Sequence, residues 1–259
     1  MDISEIVDMD RHPIDAAAYG DRAGARLNTD GVLVLDGFIR DRALSAMRRE
    51  ALAGQAGAYF CTQDHSVYLT PQNPDYPPNH PANRQVQSSK GCICDDQVAE
   101  NSPLRVLYDA PVFREYVKRA TGQSKLHPYA DTLSSINIHY ANRGQELGWH
   151  FDNSSFAITL LIQKAAAGSR FEYVKDLRDA EAGAMNFEGV EALLDGRTTP
   201  DVLEIEPGTL VLFRGRNSIH RVSPNQSDQT RILSVLAYNA EPGVELSESA
   251  RMTFYGRLS

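Results

Sequence analysis

The chain has 259 residues, a formal net charge of −8 and a pI near 5.4, a balance that argues against nucleic acid or an anionic membrane as the main partner. No apolar run approaches the length of a membrane span, and the opening Met1-Asp-Ile-Ser-Glu-Ile is acidic rather than leader-like. The three cysteines, Cys61, Cys92 and Cys94, are too few and too odd in number for a disulfide frame, so a cytoplasmic protein with reduced thiols is expected.

In chain order, the first thirty residues read as polar and irregular, with Gly20 and Gly24 as breakers. Gly31–Asp36 has the pattern of a short strand. Asp41 is placed to cap a helix over 42–53, where Leu44, Met47 and Ala51 recur at helical spacing. Residues 70–83 carry Pro71, Pro74, Pro77, Pro78 and Pro81, which no regular element survives, so a stiff loop is predicted, of a length typical of lids or binding segments. Cys92-Ile-Cys94 has no second Cys/His pair nearby to complete a zinc site and reads as structural. A helical stretch covers 103–120, with an apolar face for packing on a sheet, a break at Pro111 and an end at Gly122.

From about residue 132 the pattern becomes one of strands: 136–140, 156–162, 202–205, 209–213 and 231–238, separated by Gly and Pro turns and interrupted by a short helix at 187–194. Many short strands with turn signals predict a mainly β protein with flanking helices, a double-stranded β-helix (jelly-roll or cupin-like) core with helices on its outside. The length fits a single domain spanning 1–259, with 1–130 as helical support plus the proline-rich loop and 131–259 as the jelly roll.

The chemistry is concentrated in His150-Phe151-Asp152, His220 and, eleven residues further on, Arg231. On an extended strand residues i and i+2 share a face, so His150 and Asp152 can reach one ion while Phe151 points away. Two histidines and a carboxylate occupy one face of an octahedral metal and leave the other open, the pattern of non-haem Fe(II) oxygenases. Arg231 heads an apolar strand, where a buried guanidinium calls for a carboxylate. Together these suit Fe(II), O2 and 2-oxoglutarate, whose keto-acid end chelates metal while its distal carboxylate meets Arg231. A zinc hydrolase would use similar ligands but leave the arginine without a purpose. Trp149, preceding His150, faces the other way and is expected to pack. Asn137 and His139 share a strand face and suit either contact with 2-oxoglutarate or ordinary barrel lining.

Ser88-Ser-Lys-Gly91, Leu147-Gly-Trp-His-Phe-Asp152, Phe171-Glu-Tyr173, the segment from Pro207-Gly-Thr-Leu-Val-Leu-Phe213 to His220-Arg221, and Phe254-Tyr-Gly-Arg257 carry a resemblance. Over about two-thirds of its length the chain resembles the Fe(II)/2-oxoglutarate enzymes that include the free-amino-acid halogenases of the BesD and HalD type and their hydroxylase relatives. The resemblance implies a small amino-acid substrate and oxidative decarboxylation of 2-oxoglutarate to succinate and CO2, coupled to attack on an unactivated C–H. In those halogenases a small residue replaces the metal-binding carboxylate and leaves a place for chloride; here Asp152 stands at that position, which implies hydroxylation. The resemblance also suggests Arg84 as the grip on the substrate carboxylate, although a solvated surface arginine is an equal reading. Asn153 and Tyr255 are further candidates for the substrate pocket. Desaturation or oxidative cyclisation by the same centre, a peptide- or carrier-bound substrate, and a non-catalytic metal-containing jelly-roll module remain as alternatives.

Overall fold

The computed structural model describes residues 1–259. Helices α1 (Ile3–Ile6) and α2 (Ala17–Asp30) lead into β1 (Val32–Leu35) and α3 (Asp41–Gly54). A long hairpin of β2 (Tyr59–Ser66) and β3 (Gln85–Ile93) precedes α4 (Pro103–Asp109) and α5 (Pro111–Thr121). Next come β4 (Ile136–Ala141), β5 (Leu147–His150), β6 (Ala157–Gln163), β7 (Phe171–Val174) and α6 (Phe187–Leu194). The chain then runs through β8 (Asp201–Leu203), β9 (Leu210–Phe213), β10 (Ile219–Val222), β11 (Arg231–Leu236) and α7 (Glu248–Tyr255).

The strands form two antiparallel sheets, one of seven strands in the order β1-β9-β6-β11-β4-β3-β2 and one of four in the order β5-β10-β7-β8. This is the mainly β, jelly-roll arrangement with flanking helices that the strand pattern predicts. The period-two alternation of the large sheet divides its work. Leu210 and Leu212 of β9, Ile158 and Leu160 of β6, and Ile232 of β11 face the helices and build the main core, whereas Val211, Phe213, Thr159, Leu233 and Arg231 face a cavity between the sheets. No helix is long and apolar enough to cross a membrane.

Several expectations need correction. The first thirty residues are not irregular: α2 is a full helix, and its two glycines are contact points rather than breakers. A β-carbon at Gly20 would lie 3.0 Å from Cβ of Arg119, and one at Gly24 would lie 2.9 Å from the Arg119 carbonyl oxygen, so the glycines let α2 lie directly on α5. Asp41 is not the cap of α3 but its first residue, where its charge complements the helix dipole instead. Residues 1–130 are more than helical support, since β1, β2 and β3 all join the seven-stranded sheet. At Pro111 the predicted break separates α4 from α5, and α6 falls on its predicted residues.

Candidate active site

His150 ends β5 and His220 lies in β10, and the register of that antiparallel pair sets them directly opposite one another. Opposed residues in such a pair hold their β-carbons ~5 Å apart, and the two imidazole centroids accordingly lie 4.1 Å apart. Nδ1 of His150 is 2.8 Å from the Gly148 carbonyl and Nδ1 of His220 is 3.1 Å from the Ser218 carbonyl. A carbonyl only accepts, so Nδ1 carries the proton in each ring and the Nε2 lone pairs are free to bind a metal. Burial, and then the nearby His220, hold the His150 ring well below its ordinary pKa and so keep it neutral. Phe171 stacks on the His220 ring at 5.5 Å and Phe213 meets it edge-on at 4.9 Å, which fixes its orientation.

Asp152 lies just past the end of β5, held by its backbone N–H to the Gly215 carbonyl at 3.0 Å. Its Oδ1 is 3.7 Å from Nε2 of both histidines, and one ligand atom from each of the three residues falls within 4.8 Å of the others. Oδ2 is buried with no hydrogen-bond partner. A buried carboxylate with one oxygen orphaned and the other 3.7 Å from two imidazole nitrogens is costly by itself and is satisfied by a divalent cation. The three side chains therefore fit a metal of the facial-triad type.

These groups open into a cavity of about 390 Å³ between the sheets. Arg231 enters it from the start of β11, no carboxylate pairs with it, and burial pulls its guanidinium down to about 10. Arg231 is thus an unpaired cation inside the barrel, suited to a carboxylate ligand. His139 of β4 lines the same space, held well below its ordinary pKa by burial and then by the charges of Lys90 and Arg231.

Not all the residues singled out from the sequence meet here. Arg84 is engaged elsewhere: its guanidinium pairs with Asp195 and donates to the Leu194 carbonyl at 3.0 Å, outside the cavity lining. The C-terminal end of α6 takes it, because the last carbonyls of a helix lack partners within it and the C-cap there is the acidic Asp195. Asn153 is exposed, its carbonyl accepting from Arg216 at 2.8 Å. Tyr255 is buried beneath β3 and β4, where its hydroxyl donates to Oδ1 of Asn137 at 2.9 Å. Asn137 also donates to the Leu133 carbonyl at 2.7 Å, so this pair is structural, while the neighbouring Phe254 reaches the cavity. Trp149 packs as expected, buried beneath the Arg221 guanidinium at 4.8 Å. Cys61, Cys92 and Cys94 form no disulfide.

Other side chains matter that the sequence reading passed over. Ser88 accepts from the Gly148 N–H at 2.9 Å and bonds to Nε2 of His65 at 2.7 Å, so the β2–β3 hairpin braces the strand that carries His150. Arg178 donates to the Arg216 carbonyl at 2.7 Å and lies 4.2 Å from the centroid of the Phe151 ring, tying together the two loops that frame Asp152. The hairpin left no period-two signal, because β2 and β3 carry polar residues on both faces. Arg178 left none, because a loop arginine has no pattern.

Comparison with known proteins agrees with this geometry. The profile of the family described as HalD: Halogenase D matches residues 17–253. No curated protein sequence matches the chain. Among solved structures, a 2OG-Fe(II) oxygenase family oxidoreductase from Burkholderia pseudomallei superposes with a TM-score of 0.53 at 12% identity, covering 87% of this chain and 93% of that one. A Pseudomonas putida prolyl-4-hydroxylase gives 0.52 at 11% identity, over 85% and 98% of the two chains. The non-heme alpha ketoglutarate dependent carbocyclase SnoK from nogalamycin biosynthesis gives 0.58 at 14% identity, over 89% of each. At such identities the solved structures speak for the fold, and the family match speaks for descent. The chain belongs to the Halogenase D family and is a non-haem Fe(II)/2-oxoglutarate-dependent dioxygenase.

Proposed function

We propose that the enzyme hydroxylates an unactivated C–H bond of a small free amino acid, with His150, Asp152 and His220 holding Fe(II) and Arg231 gripping the distal carboxylate of 2-oxoglutarate. The observation that carries this reading is the third corner of the triad. A small residue there would leave a coordination position for halide; Asp152 places a carboxylate oxygen 3.7 Å from both Nε2 atoms instead.

The chemistry that Fe(II), 2-oxoglutarate and O2 supply when bound is oxidative decarboxylation to succinate and CO2, coupled to oxidation of a substrate C–H bond. The protein's part is placement. The Nδ1 bonds to Gly148 and Ser218 aim both imidazoles, and the apolar walls formed by Phe171, Phe213 and Val211 exclude water. Arg231 fixes the depth of the co-substrate, and the neutral His139 beside it accepts or donates a hydrogen bond without adding charge.

The test is incubation with Fe(II), 2-oxoglutarate, O2 and chloride, one proteinogenic amino acid at a time, following succinate and product mass. One amino acid should stimulate succinate formation and gain a single oxygen. A chlorinated product would overturn the role given to Asp152. Loss of two hydrogens without gain of oxygen would mean desaturation or ring closure, and turnover confined to a peptide or carrier-bound residue would move the substrate class.

A further inference from the structure

The cavity has an unbalanced charge inventory. Asp152 is its one carboxylate, whereas two cations, Lys90 and Arg231, line it, and neither is ion-paired. Lys90 lies three residues before the end of β3 and faces the cavity, with Nζ 3.2 Å from Nε2 of His139 and 5.2 Å from the centroid of the Phe254 ring. Neither neighbour carries negative charge. A buried ammonium kept against a neutral imidazole and an aromatic face is stable only if an anion completes its surroundings.

Charge arithmetic assigns the anions. Fe(II) with Asp152 leaves one positive charge, which the chelating carboxylate of 2-oxoglutarate offsets; the distal carboxylate offsets Arg231. Lys90 then has no partner. It also lies on a different wall: it shares a strand face with Ser88, about 7 Å along β3, and Ser88 braces Gly148 next to His150. Arg231 enters from β11, with β4 between the two strands. Opposite Ser88 across the hairpin is Gln63, which lines the cavity and offers a neutral amide.

We propose that Lys90 holds the carboxylate of the substrate and that the substrate's side chain is uncharged and apolar. This rests on the reading that the substrate is a small free amino acid. The second half follows from the same inventory. A cationic side chain would need an acidic partner in the cavity, and Asp152, which the metal occupies, is the one carboxylate present. The remaining walls, such as Leu69, Phe156, Leu203 and Phe254, are apolar. Gln63 accepts the α-ammonium, and Arg84 takes no part.

The experiment is anaerobic calorimetry on protein loaded with Fe(II) and 2-oxoglutarate, with L-norleucine, L-norleucinamide, hexanoate and L-lysine as probes. Norleucine should bind about thirtyfold more tightly than its carboxamide, from loss of one charged hydrogen bond, and at least about tenfold more tightly than lysine. Lys90→Met should remove the preference for carboxylate over carboxamide, Lys90→Arg should keep part of it, and Arg84→Met should leave norleucine affinity within about threefold. Affinity for 2-oxoglutarate should change less than about threefold in Lys90→Met. Lys90-dependent binding of hexanoate without binding of norleucine would keep the carboxylate role of Lys90 and reject the amino-acid reading. Unchanged discrimination in Lys90→Met, no binding of any carboxylate probe, or a large loss of 2-oxoglutarate affinity in that variant would overturn the assignment. Tighter binding of lysine than of norleucine would overturn the apolar side chain.

Discussion

A β-carbon at Gly215 would overlap Oδ2 of Asp152 and stand 2.9 Å from Cε1 of His220. The glycine and the carboxylate thus share one small space, and the loop Arg214-Gly-Arg216 is shaped around the aspartate. Gly215→Ala should push Asp152 off its position and lower metal affinity by roughly 10- to 100-fold, the scale seen when support for a metal ligand is lost. Titration of the metal-free protein with Fe(II) under argon measures this. Circular dichroism serves as the check that the fold survives. Wild-type metal affinity in the variant would mean that Asp152 has room to spare.

Arg231 yields a prediction of two opposite signs. As an unpaired cation within the barrel it destabilises the ligand-free protein, so Arg231→Met should raise the stability of the metal-free form by about 1–3 kcal/mol. The same change should weaken 2-oxoglutarate by about thirtyfold or more, since a charge-assisted fork is lost. Denaturant unfolding and calorimetry with 2-oxoglutarate read the two effects separately. A variant that is less stable and yet binds 2-oxoglutarate normally would show that the arginine serves the fold.

Arg178 joins the loops on either side of Asp152 through the Arg216 carbonyl and the face of Phe151. Arg178→Met should cost about 2–4 kcal/mol of stability, from the charged hydrogen bonds to the Arg216 and Asp152 carbonyls and the cation–π contacts with Phe151 and Tyr68. Lys in its place should recover little, because it lacks the planar fork. Urea unfolding of the two variants checks the magnitude and the order.

The fold outside the site carries its own pH dependence. His12 is buried, with Nε2 2.8 Å from the Asp36 carbonyl and Nδ1 2.8 Å from the Tyr19 hydroxyl, and burial lowers its pKa below the ordinary 6.5. Between that folded value and 6.5 the unfolded chain takes up a proton that the folded chain refuses. The stability from neutral His12 is therefore complete above about 6.5 and declines as pH falls through this window. His12→Gln removes one contribution to that decline, so the gap in Tm between wild type and variant should narrow from about pH 7 to about pH 5. A gap that widens toward acid would reverse the sign.

How much was legible in the sequence depended on whether a residue sat in a pattern. His220 and Arg231 lie in strands, where alternation against apolar neighbours marks an inward-facing polar group, and both reach the cavity. The His150/Asp152 pairing was anticipated for a partly different reason, because β5 ends at His150 and the Gly215 carbonyl, rather than continued pleating, holds Asp152 in place. β2 and β3 escaped notice because their alternation is polar on both faces and a proline-rich loop separates them. Their register alone brings Lys90, Ser88 and His65 to the cavity. Arg84 misled because proximity in sequence to that loop says nothing about α6, whose carboxylate at Asp195 captures it across the fold. Gly20 and Gly24 misled for a similar reason, as a helix–helix contact cannot be seen from one helix.

Anomalous diffraction at the iron edge, from crystals grown anaerobically with Fe(II), 2-oxoglutarate and chloride, is the most direct measurement. One iron peak should appear bounded by Nε2 of His150, Nε2 of His220 and a carboxylate oxygen of Asp152, with 2-oxoglutarate reaching Arg231 and no halide on the metal. Iron bound with Asp152 turned away and chloride in its place would contradict the hydroxylase reading at its source.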